Sequence, residues 1–437
     1  MKISNQGLLA GSSLALIYKI AGLGCGYLLV LLITRNFGAG VMGMFSLCTT
    51  IVTIGAVVSR FGMDTAIVKF TVGFIAENKP GSATFLLRKA LFVSLALSSS
   101  LCLAFWAGRH ILANVLFEKP WLADSLAIVL IALVPLSLLQ ILAGYLRGFR
   151  FIGGFAFLQH GAVNFFTMIG LAGILLFSDI RQAPLMAYVC GVFLAFIVGV
   201  VLCRRYWMPP VPDDSVTVRS MADVAVPLLL AASMGLVLNW TDILMLGAMQ
   251  TEAEVGQYTI AVRLAMLTTL MLRSVNAAVG PRFAEAWQRQ DVKWLNKEVQ
   301  HSTRMIFWTS LPVLVLYVLV PEFFLGLFGD EFSPARVALI LLSIGMFVSA
   351  ISGSVGVFMQ MTGYHVAFQN ISFITVLLNV SLNALLIPLY GITGAAIASM
   401  FSMIFRNLFS VILIYRRTGI VTIYLPFFKS SWLKSTK

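Results

Sequence analysis

The chain has 437 residues, 59% of them hydrophobic and 11% charged, with a mean hydropathy of +0.95 and a net charge of +13. That balance excludes a soluble globular domain, because so few polar side chains cannot cover a core this apolar. The apolar residues fall in blocks of about 20, the length of helix that crosses a ~30 Å hydrocarbon core, and not in the ~10-residue alternating segments of a membrane β-barrel.

In chain order, twelve helices are predicted, at roughly 8–34, 41–75, 85–107, 124–146, 154–177, 184–203, 222–248, 255–288, 299–321, 335–361, 364–389 and 392–417. The first block follows one early lysine, Lys2, and ends without a small-residue cleavage site, so no cleaved signal peptide is expected. Pro135, Pro227 and Pro312 interrupt later blocks, which a bundle tolerates because neighbouring helices satisfy the freed carbonyls. The one polar connection is the run RRYWMPPVPDDSVTVRSMAD from Arg204 to Asp223, rich in proline and paired charges, as in a solvated linker. The five cysteines (Cys25, Cys48, Cys102, Cys190 and Cys203) have no CxxC spacing and read as small buried hydrophobes.

The stretch Asn36–Lys69 recurs 213 positions later: Gly43, Phe45, Arg60 and Lys69 are echoed by Gly256, Tyr258, Arg273 and Arg282. Gly148 and Asn164 match Gly363 and Asn379 at an offset of 215. The chain therefore reads as a duplication: an N-terminal lobe at 1–203, a cytoplasmic linker at 204–221 and a C-terminal lobe with a short tail at 222–437. Six helices per copy is an even number, so both copies enter the membrane in the same direction. The expected fold is an all-α integral membrane protein of two pseudo-symmetric six-helix lobes around a central cavity, related by an axis along the membrane normal.

Orientation follows from loop Lys and Arg. With the N-terminus inside, 20 basic residues lie on the inner side and 5 (Arg35, Arg109, Lys119, Arg181 and Arg336) outside, which makes both termini cytoplasmic. The positive net charge then faces an anionic inner leaflet, and nucleic-acid binding is not required to explain it.

Five basic residues remain inside helices: Lys19, Arg60, Arg263, Arg273 and Arg406. Charges at membrane depth cost about 2.5–3.5 kcal/mol on insertion scales and normally face a cavity or a partner. They are the candidate substrate-binding residues, against the alternative that Arg60, Arg263, Arg273 and Arg406 snorkel to headgroups. Lys19 lies about 16 Å along its helix, near the midplane, where snorkelling is hardest. Asp64 and Asp242 are the acidic residues clearly within helices and the candidate ion-coupling sites. Asp64 stands four residues from Arg60 on one helical face, either as a self-contained ion pair or as a group that titrates as substrate moves. Asp242 has no basic residue at i±3 or i±4. It requires a partner on another helix, or with Thr241 and Asn239 forms a proton or sodium site.

The amides Asn164, Gln369, Asn370, Asn379 and Asn383 read as interhelical glue. His160, His365 and the pair Asp213–Asp214 lack metal-ligand spacing, so no metal or cofactor is expected. GFIAENKPGS (Gly73–Ser82) loosely matches the major-facilitator loop, but Ser82 and Ala83 stand where a basic pair belongs. No nucleophile elbow, phosphate loop or large outer loop is present, and an enzyme is not expected.

The motifs ITRNFGAGVMGMFSL (Ile33–Leu47), RFGMDTAIVKF (Arg60–Phe70), TDILMLGAMQTEAEVGQYTIAVRL (Thr241–Leu264), PRFAE (Pro281–Glu285) and IPLYGITGAAIAS (Ile387–Ser399) resemble, in order and spacing, those of oligosaccharide-lipid flippases. These are the Wzx-like polysaccharide biosynthesis export proteins of the multidrug/oligosaccharidyl-lipid/polysaccharide superfamily. The resemblance covers nearly the whole chain. It implies transfer of an undecaprenyl-pyrophosphate-linked glycan between leaflets of the bacterial cytoplasmic membrane by two lobes that alternate their opening. It also implies a proton or sodium counter-ion, and a polysaccharide polymerase and a chain-length regulator as partners. The excess of helix-borne basic residues suits an anionic pyrophosphate lipid better than a cationic drug, the substrate of a multidrug antiporter in the same superfamily. The fourteen-helix lipid II flippases are neighbours, but this chain ends after twelve.

Overall fold

The computed structural model describes residues 5–176, 180–212, 221, 223, 225, 237–238, 240–424 and 426, with side chains from residue 17 onward. Pro227, Asn239 and the Asp213–Asp214 pair lie outside the described residues. Contacts divide the chain into two compact units, Met1–Ser233 and Met234–Lys437.

The first unit holds α1 (Asn5–Arg60), α2 (Met63–Ala76), α3 (Pro80–Ala107), α4 (Trp121–Gly148), α5 (Ile152–Leu175) and α6 (Ala183–Arg204). Helix α1 is two helices joined at Gly38, whose φ of 78° and ψ of −172° no helix accommodates. It ends at Arg60 because Phe61 (φ 49°) and Gly62 (φ 73°) are left-handed. A Cβ on Gly62 would lie 2.4 Å from the Ala225 carbonyl oxygen, so glycine is required there twice over. The predicted 41–75 helix is thus broken, and its start follows Gly38.

Pro80 opens α3 at the first helical position, where its missing N–H costs nothing. Small residues let the helices approach. A Cβ on Gly191 of α6 would meet Thr167 of α5 at 2.4 Å, and one on Gly144 of α4 would meet the Asp64 carbonyl oxygen of α2 at 2.3 Å. Around these contacts pack Leu86, Leu139, Leu142, Leu146 and Leu158.

The stretch after α6, expected to be solvated, is docked on this unit as far as it is described. The Tyr145 hydroxyl donates to the Tyr206 carbonyl (3.1 Å), the Met208 N–H to Thr84 Oγ1 (3.2 Å) and the Val211 N–H to the Gly81 carbonyl (3.3 Å). Phe149 and Phe151 flank the Tyr206 ring. Arg204, Arg205 and most of the segment are exposed, as its paired charges suggest, so the docking rests on these backbone bonds and on the half-buried Tyr206.

The second unit holds α7 (Trp240–Met249), α8 (Glu252–Gln288), α9 (Val292–Leu319), α10 (Asp330–Ser352), α11 (Val355–Met361) and α12 (His365–Thr418). Thr251 and Glu254 form a reciprocal capping box that starts α8. Helix α10 stops at Gly353 (φ 76°), where a Cβ would lie 2.2 Å from Thr303 Oγ1, so the predicted 335–361 helix is two. Helix α12 is kinked at Gly391 (φ 56°, ψ −132°), three residues after Pro388. The Gln250 side chain donates to the Ile387 carbonyl (3.0 Å), supplying a hydrogen bond at the kink. Phe283, Leu295, Ile306 and Phe358 form the core.

Among the described residues nine helices are long and apolar enough to cross a membrane. Splitting α1 at Gly38 and α12 at Gly391 makes eleven, and α7 is a shorter apolar helix, in agreement with twelve. The protein is a multi-pass all-α membrane protein. The duplication is visible in the backbone. Gly38 and the extended Thr251 each start the second helix of a copy, and left-handed Asn78 and Gln290 each end it. Left-handed Arg150 and Gly363 each precede the fifth helix. The pairs stand 212 or 213 positions apart, so the backbone aligns Gly363 with Arg150 and not with Gly148.

Gly144→Val is expected to overpack the α2–α4 contact and cost about 1–3 kcal/mol. Gly173→Val, with nothing within 4 Å of its added Cβ, is expected to be neutral. Thermal unfolding in detergent, followed by tryptophan fluorescence, distinguishes the two.

Candidate functional site

Within the second unit lies a cavity of about 200 Å³, whose walls include Asp242, Tyr258, Arg273, Asn379, Ser399 and Arg406. Local sequence accounts for the convergence. The Thr251 cap fixes where α8 begins, so Tyr258, under two turns later, reaches Asp242 on α7. Asn379 and Asn383 are four apart and share one face of α12. The Gly391 kink turns the chain so that Ser399 returns beside Asn379, at 3.5 Å.

Asp242 is 5% exposed. Its Oδ1 accepts from Asn383 Nδ2 (2.7 Å) and Asn379 Nδ2 (3.3 Å). Its Oδ2 accepts from the Tyr258 hydroxyl (2.7 Å) and the Ser399 hydroxyl. Four donors on two oxygens match the acceptor capacity of an ionised carboxylate. Thr241 does not join them; its hydroxyl donates back to the Val237 carbonyl (2.7 Å). The Asn383 side-chain oxygen is buried without a hydrogen-bond partner.

Of the charged residues singled out from sequence, this cavity gathers Asp242, Arg273 and Arg406. Arg273 is exposed and Arg406 half-buried. Arg263 is half-buried on α8 and is not among the residues lining the cavity. Lys19 and the Arg60–Asp64 pair belong to the first unit. Lys19 is half-buried on α1, an electrostatic neighbour of His160 in the π-helical Phe157–Gly161 segment. Arg60 Nε lies 3.5 Å from Asp64 Oδ2, with side chains 16% and 24% exposed. The pair does not share one helical face, as i,i+4 spacing suggested: it closes across the left-handed break at Phe61 and Gly62, joining the end of α1 to the start of α2.

Sequence reasoning set aside Asn379 and Asn383 as glue and did not connect Tyr258 or Ser399 to Asp242. The available signal was the i,i+4 amide pair in an otherwise apolar run. The partner could not be read for Asn379, Asn383 and Ser399, because 137 to 157 positions separate them from Asp242; Tyr258 is only 16 away, but on the next helix.

Tyr258→Phe removes one of two donors from Oδ2 and is expected to cost about 1–3 kcal/mol. Asp242→Asn turns an N–H₂ group toward existing donors and is expected to cost more. Unfolding midpoints of the two variants in detergent provide the ranking.

The polysaccharide biosynthesis protein family model matches residues 8–287, and the MatE model matches residues 227–385. A probable low-salt glycan biosynthesis flippase of Haloferax volcanii, Agl15, is 25% identical over 414 residues, covering 90% of this chain and 81% of that protein. The probable flippase AglR of the same organism is 29% identical over 179 residues, 40% of this chain and 37% of its own. Among solved structures, an inward-facing multidrug resistance MATE family transporter of the MOP superfamily superposes with a TM-score of 0.74 at 16% identity, over 93% of this chain and 98% of that one. The lipid II flippase MurJ, inward closed, also gives 0.74, at 15% identity over 93% and 87%. With a family model spanning most of its length and this shared fold, the chain belongs to the polysaccharide biosynthesis protein family, on the architecture common to MATE transporters and MurJ.

Proposed function

We propose that this protein is a flippase that carries an undecaprenyl-pyrophosphate-linked oligosaccharide from the inner to the outer leaflet of a bacterial cytoplasmic membrane. Transport proceeds by alternating access and is coupled to a proton or sodium ion. The observation that carries the reading is the cavity of the second unit, where Arg273 and Arg406 stand with the buried Asp242. Guanidinium groups offer paired hydrogen bonds to phosphate oxygens. A cavity of about 200 Å³ admits a phosphate group or an ion. The family and the flippase names of its relatives support the same substrate class. Asp242 and the open Asn383 oxygen form the ion-coupling site, and Asp64 is held as a compensated pair by Arg60. Lys19, Arg60 and Arg263 complete the set of substrate-binding residues. A multidrug antiporter is the second reading, favoured by the MATE fold; a cavity with two arginines and one carboxylate suits an anion over a cationic drug.

Flipping of undecaprenyl-pyrophosphate-linked oligosaccharide by the full chain in proteoliposomes tests the proposal. Arg273→Ala is expected to lower the rate about tenfold or more, from a charge-assisted bond of ~1.5–3 kcal/mol, with Arg273→Lys intermediate because it keeps charge and loses the fork. Asp242→Asn is expected to lose ion dependence and Asp242→Glu to retain part of it. Flipping by wild type with no loss in Arg273→Ala and Arg406→Ala would remove the arginines from the substrate site.

Orientation is tested separately. Reporter fusions at Gln250 and Tyr390 are expected to read as external and one at Ser215 as internal, and an external signal at Ser215 reverses the assignment.

A further inference from the structure

A second cavity, of about 140 Å³, lies on the first unit between α3 and α6, both of which pack on α4. Its floor is Leu138 and Leu142 of α4, both buried. One rim is Phe92 and Leu95 of α3, 73% and 43% exposed; the other includes Val200 of α6. The walls are carbon, apart from the Cys203 sulfur and the ring nitrogen of Trp207.

One end of this groove is charged. Arg88 precedes Phe92 by one helical turn on α3, and Arg204 follows Val200 by one turn on α6. Both side chains are exposed, and neither has an ion-pair partner among the described residues. The segment after α6 is tied back to α3: Met208 bonds to Thr84, one turn before Arg88, and Val211 bonds to Gly81. Trp207 closes this end, 39% exposed, its backbone N–H on the Arg204 carbonyl (3.2 Å). An indole at the boundary between apolar groove and cations offers an N–H donor to a headgroup.

We infer that this groove is a binding site for an acidic glycerophospholipid, with one acyl chain along Leu138 and Leu142 and its phosphodiester held by Arg88, Arg204 and Trp207. Size selects the occupant. Leu87 to Leu95 spans about 12 Å of helix, close to one leaflet's ~15 Å share of the core. A partner helix, ~10 Å or more across, does not enter so small a groove, and a polyprenyl tail crossing both leaflets overruns it. Charge selects the headgroup, because two arginines without an ion-pair partner among the described residues favour an anionic lipid over a zwitterionic one. The lipid also braces the docked 206–211 segment, the first part of the connection between the units.

Native mass spectrometry of the purified full chain, titrated with dioleoyl phosphatidylglycerol, dioleoyl phosphatidylcholine or undecaprenyl phosphate, tests the site. Wild type is expected to retain phosphatidylglycerol about tenfold over phosphatidylcholine, the scale set by two arginines near the surface. The R88Q/R204Q variant is expected to bind both equally, and Val200→Phe, which fills the groove from its rim, to lose the retained lipid. Unfolding midpoints without lipid establish that both variants are folded. Unchanged preference in the folded double variant overturns the proposal, as does unchanged retention in Val200→Phe or displacement of phosphatidylglycerol by equimolar undecaprenyl phosphate. None of these readouts involves flipping, so they stand or fall apart from the proposed transport activity.

Discussion

A carboxylate buried in an apolar helical bundle is the constraint on which the second unit depends. An unpaired charge there costs several kcal/mol, and Asp242 has no cation among its hydrogen-bond partners to cancel it. The structure answers with four neutral donors drawn from three parts of the chain: Tyr258 from α8, Asn379 and Asn383 from α12 before its kink, and Ser399 after it. Each donor must arrive with its helix in the correct rotation, so one side chain fixes the azimuth of three helical segments against α7. The kink at Gly391 follows from the same requirement, since an unbroken α12 would carry Ser399 some 30 Å beyond Asn379.

Backbone singularities do the corresponding work throughout the fold. Gly62, Gly353 and Gly391 occupy left-handed conformations at close approaches where a Cβ would meet a carbonyl oxygen, a hydroxyl or a carboxylate. They end or bend helices inside stretches that hydropathy alone reads as continuous helix. Intrinsic helix propensity is a weak guide in these segments, because bilayer and bundle alike favour helix for any apolar run.

That explains what could be read before the structure was seen. Helix class and the duplication were legible because they rest on block length and on repeated motifs, both local properties of the sequence. The breaks at Phe61–Gly62 and Gly353 were not, because the sequence does not show the approach of Ala225 or Thr303 that makes these glycines obligatory. Spacing reveals the Arg60–Asp64 pair but not its geometry, since i,i+4 implies a continuous turn and the chain breaks at Phe61 and Gly62. At the cavity, Asp242, Arg273 and Arg406 stood out as charges in apolar runs. Ser399 did not, because a serine or threonine hydroxyl in a membrane helix usually bonds its own backbone, as Thr241, Thr259 and Ser402 do here, and Tyr258 reads as an aromatic of the core.

The two copies show how fold and chemistry separate. At the 213-residue offset Asp242 corresponds to Leu29 and Tyr258 to Phe45, both buried in the first unit. Phe45 there meets the Tyr188 ring edge-on at 5.9 Å, a contact that needs no hydroxyl. Yet the same turns break the chain in both copies, at Gly38 and Thr251, Asn78 and Gln290, Arg150 and Gly363. Helix starts and turns are therefore set by backbone requirements that both copies share, whatever lies inside. The polar centre needs a carboxylate on one helix and a hydroxyl on the next together, because either alone in an apolar interior is an unsatisfied group. Leucine and phenylalanine satisfy the same packing without that interdependence, so the copies fold alike while only the second builds this carboxylate-centred cluster.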